Sequence, residues 1–144
     1  MHEAYAVVLW LLLLLFVMRV LGQLFVFAFH TRWLPLMSVW YSGVVPYRLL
    51  LPAQIVLIVL MTAIAIDFTR GAGIFVEPRR PDIGSALIVA GWVYVAAMLA
   101  RLARRILSAK GRPWYDGGTV PTAFHFVLAA FVLTVGAWHA ASAL

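Results

Sequence analysis

The sequence predicts an all-α membrane protein, with four transmembrane helices that form a single domain over residues 1–144. Of its 144 residues, 65 % are hydrophobic and 11 % are charged, a balance that a soluble domain of this size cannot shield from water. Four apolar stretches each approach the roughly 20 residues that a helix needs to cross a bilayer. None shows the strict alternation of apolar and polar residues that a membrane β-barrel requires. We expect helices at about residues 4–30, 47–69, 82–108 and 119–143.

The first predicted helix contains a charged residue, Arg19, deep inside its apolar run. One Arg at the centre of a membrane costs roughly 2.5–3.5 kcal/mol, and the surrounding Leu, Val and Phe residues, at about −0.3 to −0.6 kcal/mol each, outweigh it. Arg19 therefore either extends its side chain to the headgroups or faces the interior of the protein. Glu3, and not a cation, precedes the run, so we expect a retained helix and not a cleaved signal peptide.

The second and fourth predicted helices each follow a similar loop. Residues 40–46 read Trp-Tyr-Ser-Gly-Val-Val-Pro, and residues 114–121 read Trp-Tyr-Asp-Gly-Gly-Thr-Val-Pro. In both loops Pro opens the next helix, where its missing N–H costs nothing. The loops are separated by about half the chain, which predicts two tandem helical hairpins in the same orientation, residues 1–72 and 73–144. The alternative is a chance match, since Trp, Tyr, Gly and Pro are common at membrane interfaces.

The third predicted helix ends in a cationic face formed by Arg101, Arg104 and Arg105. We expect this face to bind anionic lipid headgroups, so lipid, and not nucleic acid, is the expected partner of a chain whose net charge is +6. The loop after the first helix and the segment after the third together hold seven of the eleven cations. The positive-inside rule then predicts that both basic regions are cytoplasmic and both termini lie outside the cytoplasm, in a plasma or inner membrane.

Polar residues within the apolar stretches gather in the predicted cytoplasmic leaflet. On a helix, Arg19, Gln23 and His30 fall within roughly 40° of one another. Because polar groups in a membrane usually face the bundle interior or a wet cavity, we expect a ligand-binding pocket that also takes residues from the second helix, the fourth helix and the second loop. Its predicted members are Arg19, Gln23, His30, Gln54, Asp116 and His125. The alternative is a set of interhelical hydrogen bonds worth about 0.6 kcal/mol each.

Two histidines of the fourth helix, His125 and His139, are fourteen residues apart, which places them on one face about 21 Å apart. This spacing resembles that of the paired haem-ligating histidines on one helix of di-haem cytochrome b proteins. The resemblance implies haem b, and the sequence accommodates one haem, between His30 and His125, because His2 and His30 cannot match both depths in one straight helix. The competing interpretation is that both histidines pack or cap near the interfaces. No ligand pair has helical metal-binding spacing, so we predict no metal and no cofactor beyond this alternative.

The sequence favours a non-catalytic function. It contains no phosphate-binding glycine loop, no His-Glu-x-x-His and no Gly-x-Ser-x-Gly, the motifs of common catalytic sites. We therefore expect an accessory or scaffold subunit of a membrane complex, which associates with a second copy or with another membrane protein. One alternative is a module that binds haem, quinone or a lipid headgroup in the predicted pocket. The other is a small oligomeric transporter or channel.

Overall fold

The computed structural model describes residues 1–29, 45–108, 111 and 119–141. Within them the chain forms four helices: α1 (His2–Phe29), α2 (Tyr47–Arg70), α3 (Pro81–Ser108) and α4 (Thr119–Ala140). Each helix is long and apolar enough to cross a membrane, and the described residues contain no strand. The predicted all-α class with four membrane helices is confirmed, and the chain is a multi-pass membrane protein.

The helices pack in the spatial order α2–α1–α4–α3. α1 packs against both α2 and α4, and α3 packs against α4, whereas α2 and α3 make no close backbone contact within the described residues. Neighbours run antiparallel: Tyr5, at the start of α1, contacts Trp138, at the end of α4, with ring centroids 5.3 Å apart. α1 and α4 therefore have two helical neighbours each, while α2 and α3 have one.

This row of helices contains the two predicted hairpins, α1–α2 and α3–α4. The interface between the hairpins joins α1 to α4. A two-fold relation between them would also join α2 to α3, and that contact does not occur in the described part of the chain. Most of the repeated loop motif falls on residues 30–44 and 112–118, outside the described residues, so the duplication remains a prediction.

Glycines allow α3 and α4 to pack closely. A Cβ atom at Gly84 would lie 2.4 Å from the backbone N of Ala140, and a Cβ atom at Gly91 would lie 2.6 Å from Cδ2 of Leu133. Gly136 of α4 is equally tight, since its Cβ atom would lie 3.0 Å from a side chain of α3. Small residues let helix backbones approach, and in lipid this dispersion contact takes the place of the hydrophobic effect as a source of packing energy.

Segment 71–80, between α2 and α3, folds over one end of the helices. Nε1 of Trp138 donates a hydrogen bond to the carbonyl of Val76 at 3.2 Å, and Nδ1 of His139 accepts one from the backbone N–H of Arg80 at 3.3 Å. Val76 is buried. The end of α4 therefore holds the segment in place, and we call this half of the protein the capped end.

Three rings from three helices fill the interior beneath this segment. Trp138 packs edge to face on Tyr5 and on Phe68, with ring centroids 5.3 Å and 5.5 Å apart. The Asp67 carboxylate accepts a hydrogen bond from the backbone N–H of Phe75 at 3.3 Å. Edge-to-face ring pairs are favourable beyond the area they bury, so α1, α2 and α4 share one core with the segment at the capped end.

Gly84→Ala should destabilise the protein, because the added methyl group meets backbone atoms of Ala140 that cannot move without shifting α4. Such overpacking costs about 1–3 kcal/mol. Gly91→Ala is the matched control: its methyl meets the flexible side chain of Leu133, and helix propensity favours Ala by roughly 0.5–1 kcal/mol. The measurement is the thermal unfolding midpoint in detergent. A Gly84→Ala midpoint at or above that of the wild type would contradict close backbone packing at this position.

Candidate functional site

A buried polar cluster lies in the half of the protein away from segment 71–80, which we call the Arg19 end. Arg19 and Gln23 of α1 and Gln54 of α2 are exposed by 8 %, 0 % and 3 %. Nε2 of Gln54 donates a hydrogen bond to Oε1 of Gln23 at 3.3 Å. The structure thus brings together residues that the sequence proposed for one pocket from two different helices.

Helical periodicity turns Arg19 toward the interior. The buried positions of α1 recur every three or four residues, as at Leu13, Phe16 and Gln23, and Arg19 lies on the same face. Its side chain therefore faces the protein and does not extend to the surface. The guanidinium Cζ lies 5.5 Å from the ring centroid of Phe124 in α4, within the range of a cation–π contact.

The Arg19 end carries positive charge without a described counter-charge. Arg19 interacts electrostatically with Tyr47 of α2 and with His125 of α4, and His125 also interacts with Arg101 of α3. Within the described residues Arg19 forms no ion pair, and its Nε has no hydrogen-bond partner. The described carboxylates belong to the capped end: Glu3, Asp67, Glu77 and Asp82.

His125 pairs with a residue that sequence reasoning missed. Its Nδ1 forms a short hydrogen bond with the hydroxyl of Tyr94 in α3, and the two rings meet edge to face at 5.8 Å. Tyr94 is the one Tyr in the apolar run of α3, but an aromatic residue there is equally suited to lipid contact. The pair joins α3 to the polar cluster through α4.

The three arginines at the end of α3 occupy different environments. Arg104 is exposed, whereas Arg101 and Arg105 are half-buried. Arg101 follows Tyr94 by seven residues, on the same helix face, and interacts electrostatically with both Tyr94 and His125. Arg101 therefore belongs to the polar cluster as well as to the predicted headgroup-binding face. Headgroup binding by the three arginines remains a prediction.

Two predicted pocket residues, His30 and Asp116, lie outside the described residues. A haem between His30 and His125, and an ion pair between Asp116 and Arg19, therefore remain predictions. His139 is engaged at the capped end, where its Nδ1 accepts the Arg80 N–H. A neutral imidazole that accepts at Nδ1 carries its proton on Nε2, so in this arrangement His139 presents no free lone pair to an iron.

Comparison with known proteins provides no family for the chain. No protein family, no curated protein and no solved structure matches it. Within residues 1–29, 45–108, 111 and 119–141, no three His, Asp or Glu side chains form a group that would hold a metal ion. Its function is therefore inferred from the chemistry of its own residues.

The Gln23–Gln54 hydrogen bond should appear as coupling in a double-substitution cycle. We expect Gln23→Leu and Gln54→Leu each to lower the free energy of unfolding by about 1 kcal/mol, because each leaves a buried amide without its partner. The double variant should be less destabilised than the sum by about 0.6 kcal/mol. Unfolding in mixed micelles measures all four states.

A matched cycle pairs Gln23→Leu with Thr62→Val. The hydroxyl of Thr62 donates within α2, to the carbonyl of Ile58 at 2.7 Å, so these two substitutions should be additive. Additivity in the Gln23–Gln54 cycle itself would mean that the two amides do not share a hydrogen bond.

Proposed function

We propose that the protein is a non-catalytic membrane protein that binds the anionic headgroup of a lipid at a site formed by Arg19, Gln23, Gln54 and His125. One observation carries the proposal: the Arg19 side chain is 8 % exposed and forms no ion pair with the described residues. An uncompensated charge in a dry interior costs several kcal/mol. A bound anion removes that cost.

The neighbouring groups suit a phosphate or carboxylate. The planar guanidinium of Arg donates two parallel hydrogen bonds to such anions, and Nε of Arg19 is free to donate within the described chain. Nε2 of Gln23 is a further buried donor, and Oε1 of Gln54 is an acceptor, neither with another partner among the described residues. An acceptor beside two donors favours a headgroup that combines an anionic phosphate with hydroxyl groups.

The competing interpretation is an internal counter-ion. Asp116 lies in the loop before α4, and as a carboxylate it would neutralise Arg19 without any ligand. The two interpretations differ in what Arg19 retains after purification: a lipid in one case and a side chain of the same molecule in the other.

The proposed binding role is compatible with an accessory subunit. α2 and α3, at the two ends of the helix row, have one helical neighbour each, and their remaining apolar faces are available to helices of a partner or of a second copy. We propose this association as a second function. Native mass spectrometry reports on it in the same experiment as lipid binding.

Arg19→Leu should remove an anionic lipid from the purified protein. A charge-assisted hydrogen bond contributes about 1.5–3 kcal/mol, so we expect at least a tenfold loss of phosphatidylglycerol retention. The protein is purified in gentle detergent, incubated with phosphatidylglycerol or with phosphatidylcholine of the same chains, and analysed by native mass spectrometry. Arg48→Leu is the control, because Arg48 is an exposed cation at the same end, in the first turn of α2.

Two results would overturn headgroup binding at Arg19. The first is an Arg19→Leu variant that is more stable than the wild type and retains as much phosphatidylglycerol. The second is strong stability coupling between Arg19→Leu and Asp116→Asn, with no lipid lost in either variant, which would identify Asp116 as the counter-ion.

The proposed orientation, with the Arg19 end in the cytoplasm, is testable because the chain contains no cysteine. Glu77 and Ser108 are exposed residues at opposite ends of the helices. In intact cells a membrane-impermeant maleimide should label Glu77→Cys, and Ser108→Cys should react after permeabilisation. The reverse labelling pattern would place the basic end outside the cytoplasm.

A further inference from the structure

A second candidate site lies at the capped end, away from Arg19. It is a groove of about 590 Å³ between α2 and α3, with α4 as its floor and segment 74–80 along its edge. Leu60 of α2, Leu87 of α3 and Phe131 of α4 are among the apolar side chains that line it. The volume falls within the range of about 300–1,000 Å³ that is typical of ligand sites.

The groove has the depth of one leaflet. Along α2 it extends from the helix end at Arg70 to the level of Leu60, ten residues, or about 15 Å at the rise of an α-helix. Along α4 it extends from Ala140 to Phe131, nine residues, or about 14 Å. Half of a hydrocarbon core of about 30 Å has the same thickness. One acyl chain of a lipid in that leaflet therefore matches the groove in length.

A cation lies where this leaflet meets the headgroups. Arg80 is the one charged side chain that lines the groove. It is exposed, and it forms no ion pair within the described part of the chain. The hydrogen bond from its backbone N–H to His139, which also lines the groove, fixes its position. Arg79 is held elsewhere, because its guanidinium Cζ lies 3.7 Å from the ring centroid of Trp138.

We propose that this groove binds an anionic phospholipid, with one acyl chain between α2 and α3 and the phosphate at Arg80. The walls are apolar and face the bilayer, so a lipid chain is the occupant in immediate supply. The cationic rim favours an anionic headgroup over a zwitterionic one. The site shares no residue with the Arg19 site, and the two lie in opposite leaflets, so neither proposal depends on the other.

Native mass spectrometry with two substitutions tests the groove. Ile64→Trp fills it from α2, and Arg80→Gln removes the cation at its rim. We expect Arg80→Gln to lower phosphatidylglycerol occupancy about fivefold, as a basic residue near the headgroups contributes about that factor. Ile64→Trp should lower it at least as much, because the indole occupies the space of the chain. Glycerol 3-phosphate, which has the anionic group without the chain, should not compete.

The controls are matched in residue type and location. Val59→Trp adds the same bulk to an exposed face of α2, where Val59 is 64 % exposed. Arg70→Gln removes an exposed cation from the same end of the protein. Both variants should keep the wild-type occupancy. Arg19→Leu should lose its own lipid and retain the one in the groove, so failure at one site is distinguishable from failure at the other.

Three outcomes would overturn the groove proposal. The first is unchanged phosphatidylglycerol occupancy in Ile64→Trp with loss in Val59→Trp. The second is equal retention of phosphatidylcholine and phosphatidylglycerol by the wild type together with no effect of Arg80→Gln. The third is a wild-type dimer that Ile64→Trp dissociates, which would show that a second copy of the chain, and not a lipid, covers the groove.

Discussion

Polar groups inside a bilayer have no water to bind, so each needs a partner within the protein or in a ligand. At the capped end this requirement is met internally. Trp138 and His139 bond the backbone of segment 71–80, and Asp67 accepts a further N–H from it. The polar side chains of that end are thereby used to fix a connection between helices. Its remaining feature is an apolar groove with one cation at the rim.

At the Arg19 end the same requirement is met in part. Gln23 and Gln54 bond each other, and the guanidinium of Arg19 rests over an aromatic ring. Arg19 Nε, Gln23 Nε2 and Gln54 Oε1 remain without partners among the described residues. Buried polar atoms that a fold leaves without partners commonly belong to a functional site. The contrast between the two ends is the physical basis for assigning headgroup recognition to one and chain binding to the other.

The helix row also explains why binding surfaces exist at all. A compact bundle would bury α2 against α3, whereas here glycines draw α3 onto α4, and α1 separates α2 from α4. The side chains of α2 and α3 then face each other across a gap. Lipid fills such a gap at no hydrophobic cost, because its chains are as apolar as the helix surfaces. A soluble protein with this arrangement would lose the exposed area as free energy.

The sequence by itself determined the four helices, because length and apolar composition are sufficient for a helix to cross a bilayer. It also determined that Arg19 and Gln23 share a face, because helical periodicity is a local property. Only the tertiary structure decided that this face is turned inward, that Gln54 meets Gln23, and that His125 meets Tyr94. It also decided that His139 holds segment 71–80, a role that helical spacing does not reveal. Those contacts join residues 31 to 59 positions apart, and in lipid the choice of neighbouring helices depends on small residues and buried hydrogen bonds, not on hydropathy.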